Sequence, residues 1–174
     1  KLSRLRANVT DNPLVRSVMI TFKNGEKLRG YLAMKPDSKK RPLIISRCGV
    51  FCDIIDRLPK IMVMQLFEET PFNLLVLAST TGIQYVDDNS SFGIGGYLEA
   101  SQHLKIADYL KSQESGIADR VSSIHVMGAS LGANSSLLSS VLSHSNRIPD
   151  EKPAISSTFS LCAVVDLQAT LDEV

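Results

Sequence analysis

Four short, continuous apolar runs constrain the fold of this 174-residue chain more than any other feature of its sequence. They are the segments 43–46 (LIIS), 73–79 (NLLVLAS), 121–127 (VSSIHVM) and 158–165 (TFSLCAVV). The first three runs are typical of strands that are buried on both faces of a parallel sheet, and the fourth is also strand-like. Helical patterns separate the runs, and such an alternation predicts an α/β fold with helices on both faces of a mostly parallel sheet.

A β-hairpin is predicted before this alternation. Apolar and polar residues alternate from Arg16, and Asn24-Gly25 is the strongest short-range signal for a hairpin turn. Helices are predicted over residues 59–70, around residues 104–110 and after residue 130, where Leu137, Leu138, Val141 and Leu142 share one apolar face. The polar, glycine-rich stretch 80–96 is predicted to be a loop. Without an internal repeat or a linker, residues 1–174 are expected to form a single domain.

Composition and charge exclude several classes of function. Hydrophobic residues make up 44% of the chain and charged residues 21%, which is the composition of a globular protein and not of a disordered or fibrous one. The net charge of +1 lacks the basic excess with which nucleic-acid binders neutralise phosphates. No run of about 18 apolar residues is available to span a membrane. We therefore expect a cytoplasmic protein with neither a nucleic-acid partner nor a membrane span.

The three cysteines are Cys48, Cys52 and Cys162. An odd number does not fit the disulfide framework of a small secreted domain, so we expect reduced thiols. Cys48 and Cys52 are four residues apart, but a second Cys/His pair at zinc-ligand spacing is missing from the sequence. Neither a metal nor another cofactor is predicted.

One pentapeptide carries the chemistry. Residues 128–132 read Gly128-Ala129-Ser130-Leu131-Gly132, the pattern Gly-x-Ser-x-Gly, directly between a buried strand and an amphipathic helix. A sharp strand-to-helix turn would hold Ser130 at its apex in a strained backbone conformation, with the hydroxyl projecting above the sheet. Strand and helix pass so closely there that Gly128 and Gly132 must lack side chains. The Leu131 N–H, at the helix start, would point at an oxyanion developing on a substrate.

Nucleotide binding is the main competitor for this turn, and the sequence argues against it. Residues 128–133 lack the second glycine of Gly-x-Gly-x-x-Gly, and Asn134 stands where a short-chain-dehydrogenase pattern needs glycine. The glycines Gly93, Gly95 and Gly96 follow no predicted strand. A tight turn of small residues without any catalytic role remains an alternative.

The motif in this context resembles the nucleophile elbow of the α/β-hydrolase superfamily. Residues 128–134 (GASLGAN) are most similar to the Gly-x-Ser-Leu-Gly-x-Asn elbow of its YheT-like esterase branch. The resemblance implies a serine hydrolase that cleaves small-molecule or lipid carboxylic esters through an acyl-enzyme on Ser130, without a cofactor. In this family a backbone N–H after the third strand completes the oxyanion hole. Cys48-Gly49 stands in the place of the family's His-Gly, so the resemblance implies the Val50 N–H as that donor.

None of the histidines has a suitable position for the catalytic base. His144 lies about 21 Å from Ser130 along a continuous helix, and its position suggests a helix-end residue. His125 lies about 16 Å away along the strand and is expected to be a core histidine, while His103 is expected at the surface of the preceding helix. Asp166, at the end of the fourth run, is a candidate for the catalytic acid or for a helix N-cap.

The resemblance also implies two further strands after Val174, whose loops carry the acid and the histidine in this family. We therefore expect residues 1–174 to be the N-terminal portion of an α/β-hydrolase fold. The apolar strand at 161–165 would leave an open sheet edge, which would pair with a missing C-terminal segment or with a second copy of the chain. The alternative function is a non-catalytic α/β-hydrolase-fold domain that serves as a binding or scaffold module.

Overall fold

A computed structural model describes residues 8–145 and 153–163, and these residues form a six-stranded mixed sheet with helices packed against it. The strands are β1 (Val15–Thr21), β2 (Lys27–Ala33), β3 (Arg41–Arg47), β4 (Asn73–Leu77), β5 (Val121–Ala129) and β6 (Ser157–Leu161). The helices are α1 (Arg57–Met62), α2 (Ile83–Asn89), α3 (Gly96–Lys111) and α4 (Leu131–Ser145). A π-helical segment, Val63–Glu68, continues α1. The predicted α/β class is confirmed.

The strand order across the sheet is β1-β2-β4-β3-β5-β6. Strands β3, β4, β5 and β6 are parallel to one another, whereas β2 is antiparallel to both of its neighbours, β1 and β4. The predicted hairpin is therefore present, and it joins the parallel sheet through β2. Gly25, in its turn, has a φ of 86°, a left-handed conformation that glycine adopts without steric cost.

Alternating side chains of β3 show that the helices cover opposite faces of the sheet. The Ser46 hydroxyl contacts Met62 Sδ of α1 at 3.0 Å. The next residue, Arg47, points the other way and donates from Nη1 to Gln102 Oε1 of α3 at 2.7 Å. Successive residues of a strand face opposite sides, so α1 lies on one face and α3 on the other. Helix α4 packs against α3 on that second face.

Two sequence-based expectations are wrong in detail. The stretch 80–96 is not a continuous loop, because α2 forms within it and packs on β2. Helix α4 does not bury the predicted apolar face, since Leu137 and Val141 are exposed. Its buried side is made largely of small residues, namely Gly132, Ala133, Ser135, Ser136, Ser139 and Ser143. Hydroxyl groups tolerate burial there because they donate back to helix carbonyls, as Ser135 and Ser136 do to Gly132 O.

An ion pair is buried beneath the carboxyl end of β3. Arg47 Nη1 lies 3.1 Å from Glu99 Oε1 of α3, and neither side chain has any solvent exposure. Gln102 supplies a further acceptor for the same Arg47 nitrogen. Two charges removed from water are tolerated only when they are paired and hydrogen-bonded, so β3 and α3 are tied together at this point.

Replacing one partner of this pair should destabilise the fold strongly. Glu99→Gln leaves the Arg47 charge buried and uncompensated, which we expect to lower the free energy of unfolding by about 3–5 kcal/mol. The matched control is Asp37→Asn, which weakens the partly exposed pair between Asp37 and Arg41. Its effect should be much smaller, because water reaches that pair and screens it. Urea denaturation of both variants measures the difference, and equal losses would contradict this account.

Candidate active site

Ser130 occupies the single position between the end of β5 and the start of α4. Its φ is 55°, in the left-handed region that non-glycine residues adopt rarely and at a cost in strain. Its carbonyl oxygen accepts from the N–H groups of Ala133 and Asn134, which begin the helix, and its own N–H donates to Leu161 O of β6 at 2.9 Å. Ser130 is exposed to solvent. The residue therefore stands at the apex of a strained strand-to-helix turn at the carboxyl end of the sheet.

The two flanking glycines lie in backbone contacts that leave no room for a side chain. A Cβ atom on Gly128 would lie 1.9 Å from the carbonyl oxygen of Gly132. A Cβ atom on Gly132 would lie 2.5 Å from the carbonyl oxygens of both Arg47 and Cys48. Gly128 thus lets β5 approach α4, and Gly132 lets α4 approach the end of β3.

The loop after β3 lies directly beside Ser130. A Cβ atom on Gly49 would lie 2.9 Å from Ser130 Cβ and 3.3 Å from its Oγ. Val50 follows, with its side chain about half exposed, and Phe51 then adopts a φ of 56°. The structure therefore brings the Gly49-Val50 segment next to Ser130 and the helix start at Leu131, which are far from that segment in the sequence.

Cys48 and Cys52 form a disulfide bond, so the expectation of three reduced thiols is wrong. Both cysteines lie in the loop after β3, with three residues between them, whereas Cys162 is free and exposed. The bond closes the loop that contains Gly49 and Val50 into a small ring and limits its freedom. Disulfides persist mainly in oxidising compartments, and this pairing weighs against the reducing cytoplasm that the sequence analysis expects.

A second loop, between α2 and α3, packs against the start of α4. Gly95, with a φ of 52°, packs so closely on Leu131 that a Cβ atom would lie 2.6 Å from that side chain. Ile94 and Tyr97, on either side of this contact, expose about two thirds of their surface. The lack of a side chain at Gly95 allows the backbone of this loop to approach the Leu131 side chain.

All three histidines of the sequence lie in the described residues, and each has another partner. His103 is fully buried and not at the surface, so that expectation is wrong. Its Nδ1 lies 2.8 Å from Ser139 Oγ, and because that hydroxyl donates to Ser135 O, the histidine nitrogen must be the donor. Burial, together with the nearby Arg47 charge, holds the pKa of His103 well below its usual range.

The other two histidines are also remote from the turn. His125 of β5 is half-buried, with its ring nitrogens 2.8 Å from Ser123 Oγ and 2.7 Å from Ser157 Oγ, and burial lowers its pKa. His144 is exposed in the last turn of α4, where Nδ1 lies 2.8 Å from Ser140 O. Each of these two histidines thus has a hydrogen-bond partner other than Ser130.

Three further expectations concern Asp166, a metal site and a membrane-spanning helix. Asp166, the candidate acid, lies outside the residues that the structure describes. Within residues 8–145 and 153–163, His, Cys, Asp and Glu side chains do not gather in any group of three that could hold a metal ion. Across the same residues, each helix is too short or too polar to cross a membrane.

The glycine contacts predict a steric penalty that even one methyl group should reveal. Gly128→Ala places a Cβ against the Gly132 carbonyl, and we expect unfolding to become easier by about 3 kcal/mol, as in severe overpacking. Gly116→Ala is the control, because a Cβ atom at this position would meet open space. The left-handed conformation of the alanine alone should lower the free energy of unfolding by only about 1 kcal/mol. Thermal denaturation of both variants provides the test, and a Gly128→Ala variant no less stable than Gly116→Ala would contradict the close contact.

The disulfide predicts the reactivity of the three cysteines. Alkylation of the denatured, unreduced protein should modify Cys162 and leave Cys48 and Cys52 unmodified. After reduction, all three should react. Mass spectrometry of the digested protein distinguishes the two patterns, and alkylation of Cys48 or Cys52 without reductant would show that the bond is absent.

Comparison with known proteins places this geometry in context. Neither a family model nor a curated protein matches the sequence. An esterase from Pyrococcus furiosus superposes with a TM-score of 0.66 and 19% identity over 94% of this chain and 58% of its own. A hyperthermophilic esterase from the archaeon Pyrobaculum calidifontis gives 0.65 and 12%, over 88% and 46% of the two chains. A bacterial brefeldin A esterase gives 0.55 and 12%, over 92% and 44%.

The chain therefore spans about half the length of the esterases that it superposes on. Identities of 12–19% establish similarity of fold alone. The superposition on the Pyrococcus furiosus esterase includes nearly all of this chain. The chain has the α/β-hydrolase fold.

Proposed function

We propose that this chain supplies the nucleophile and the oxyanion hole of a serine hydrolase that cleaves carboxylic esters. One observation carries the proposal: Ser130 is held at a left-handed φ between β5 and α4, with Gly49 of a separate loop packed against its Oγ. A strained, exposed serine at the carboxyl end of a parallel sheet is where α/β-hydrolases place their nucleophile. The fold of the superposed esterases supports the same reaction class.

The proposed reaction proceeds through an acyl-enzyme. Ser130 Oγ attacks the ester carbonyl carbon while a general base removes the hydroxyl proton. The negative charge that develops on the carbonyl oxygen is stabilised by the backbone N–H groups of Leu131 and Val50, and the positive end of the α4 dipole adds to this. Collapse of the tetrahedral intermediate expels the alcohol, which takes up the proton from the base. Water then attacks the ester of Ser130, releases the acid and restores the free hydroxyl.

The general base is proposed to come from outside the described residues. Each described histidine has another hydrogen-bond partner. The partner of His103 is Ser139, the partners of His125 are Ser123 and Ser157, and the partner of His144 is the Ser140 carbonyl. We propose that further polypeptide, a continuation of this protein beyond its N-terminal α/β-hydrolase portion or a second copy, completes the site. Asp166 stays a candidate for the acid. Phe159 and Leu161 are more than half exposed on β6 at the sheet edge, and this supports pairing at that edge.

The proposed substrates are small-molecule or lipid esters. The two loops that pack against Ser130 and Leu131 carry exposed apolar residues, among them Val50, Phe51 and Ile94, each about half or more exposed. Apolar surface of this kind favours an uncharged acyl or alcohol group. The elbow sequence at 128–134 supports the YheT-like esterase branch as the nearest subgroup.

Covalent labelling tests the assignment of Ser130. A fluorophosphonate probe should label the full-length protein, and Ser130→Ala should abolish the label because the phosphorus bonds to Oγ. Ser90→Ala is a matched control, since Ser90 is also exposed and left-handed, with a φ of 51°, but lies at the end of α2. Labelling that survives Ser130→Ala would contradict the assignment. A full-length protein that is folded but never labelled would favour the non-catalytic binding or scaffold module.

A further inference from the structure

Three consecutive hydroxyl residues after β4 lie buried between the Gly49 loop and the Arg47–Glu99 ion pair. They are Ser79, Thr80 and Thr81, each at most 4% exposed. Thr81 Oγ1 accepts from the Phe51 N–H at 2.7 Å. It also lies 2.8 Å from Ser79 Oγ, which in turn lies 3.3 Å from Glu99 Oε1. A continuous hydrogen-bond chain thus joins the backbone of the loop to the buried carboxylate.

The carboxylate fixes the direction of every proton in this chain. A carboxylate only accepts hydrogen bonds, so the Ser79 hydroxyl must donate to Glu99. Ser79 Oγ is then left as an acceptor for Thr81, whose hydroxyl proton points towards it. The lone pairs of Thr81 Oγ1 consequently face the Phe51 N–H. Hydrogen bonds aligned in this way polarise and strengthen one another.

The loop needs such a partner because its backbone is strained. Phe51 has a φ of 56°, and a left-handed conformation is a true outlier for a bulky residue. Strain of this kind persists only where surrounding contacts hold it. The same segment also holds the loop through the Ser79 N–H, which donates to Cys52 O at 2.9 Å.

We propose that Thr81 is a positioning residue that aims the Val50 N–H at the oxyanion. The inference rests on the proposed function, in which that N–H stabilises the developing charge. The Thr81 hydroxyl holds the peptide group between Val50 and Phe51, which fixes the orientation of the preceding peptide and of its N–H. Thr81 acts through the backbone and does not touch the substrate. Glu99 and Ser79 act one step farther away, by orienting the Thr81 hydroxyl.

The test compares three variants of the full-length protein. Thr81→Val removes the hydroxyl but keeps the shape of the side chain, and Thr81→Ser restores the hydroxyl. Ser143→Ala is the matched control. The buried Ser143 hydroxyl likewise accepts a hydrogen bond from a backbone N–H, that of Ile155, at 3.1 Å. Ser143, however, lies near the C-terminal end of α4, at the opposite end of that helix from Ser130. Thermal denaturation checks that all three remain folded at the assay temperature.

Thr81→Val should lower kcat for ester hydrolysis by about 10–100-fold, the scale of a misplaced catalytic group, with KM little changed. Thr81→Ser should recover most of this activity, and Ser143→Ala should retain the wild-type kcat. Independently of activity, hydrogen exchange of the Phe51 amide should become faster in Thr81→Val and stay unchanged in Ser143→Ala.

Two results would overturn the proposal: equal kcat values for Thr81→Val and Ser143→Ala, or a Phe51 amide whose exchange is unaffected by Thr81→Val. Failure of the proposed function is a different outcome, seen as turnover that does not depend on Ser130. Even then, Phe51 exchange decides whether Thr81 holds the loop, because that measurement does not require turnover.

Discussion

The buried pair of Arg47 and Glu99 is the interaction on which the candidate site depends. Arg47 is the last residue of β3, and its carbonyl group packs closely against Gly132 of α4. The next residue, Cys48, begins the loop that the disulfide bond closes. Glu99 Oε1 accepts from the Thr80 N–H and from the hydroxyl groups of Ser79 and Thr80. Apolar residues of similar volume are often as stabilising as a buried ion pair. We infer that the pair matters here because it fixes three segments relative to Ser130.

Two residues of the candidate site have a strained backbone. Ser130 has a φ of 55° and Phe51 a φ of 56°. Gly128 and Gly132 bring α4 against β5 and β3, and Gly49 brings the loop against Ser130. The absence of three side chains therefore allows the loop after β3 and the start of α4 to pack closely around Ser130. The packed core around this site keeps the strained backbone conformations in place.

Local patterns predicted the elements that depend on local physics. The pattern of apolar residues predicted the buried strands. Asn24-Gly25 predicted the hairpin turn, and the spacing of Gly128 and Gly132 predicted the tight turn at Ser130. The burial of His103 could not be predicted, because it depends on the serine-rich face of α4 packing against α3. The Cys48–Cys52 bond and the pair of Arg47 with Glu99 likewise need the tertiary fold. Propensity also missed α2, whose first residues are capped by Asp53 from another loop.

The proposed division of the site between the described residues and further polypeptide has a geometric rationale. In a parallel sheet, catalytic groups sit at the carboxyl ends of several different strands. Ser130 already lies beside the carboxyl end of β6, since its N–H donates to Leu161 O. A strand added to the open edge of β6 would lie about 4.8 Å farther out, and the loop after it would reach the exposed side of Ser130. The edge that exposes Phe159 is thus also the side from which a base can approach.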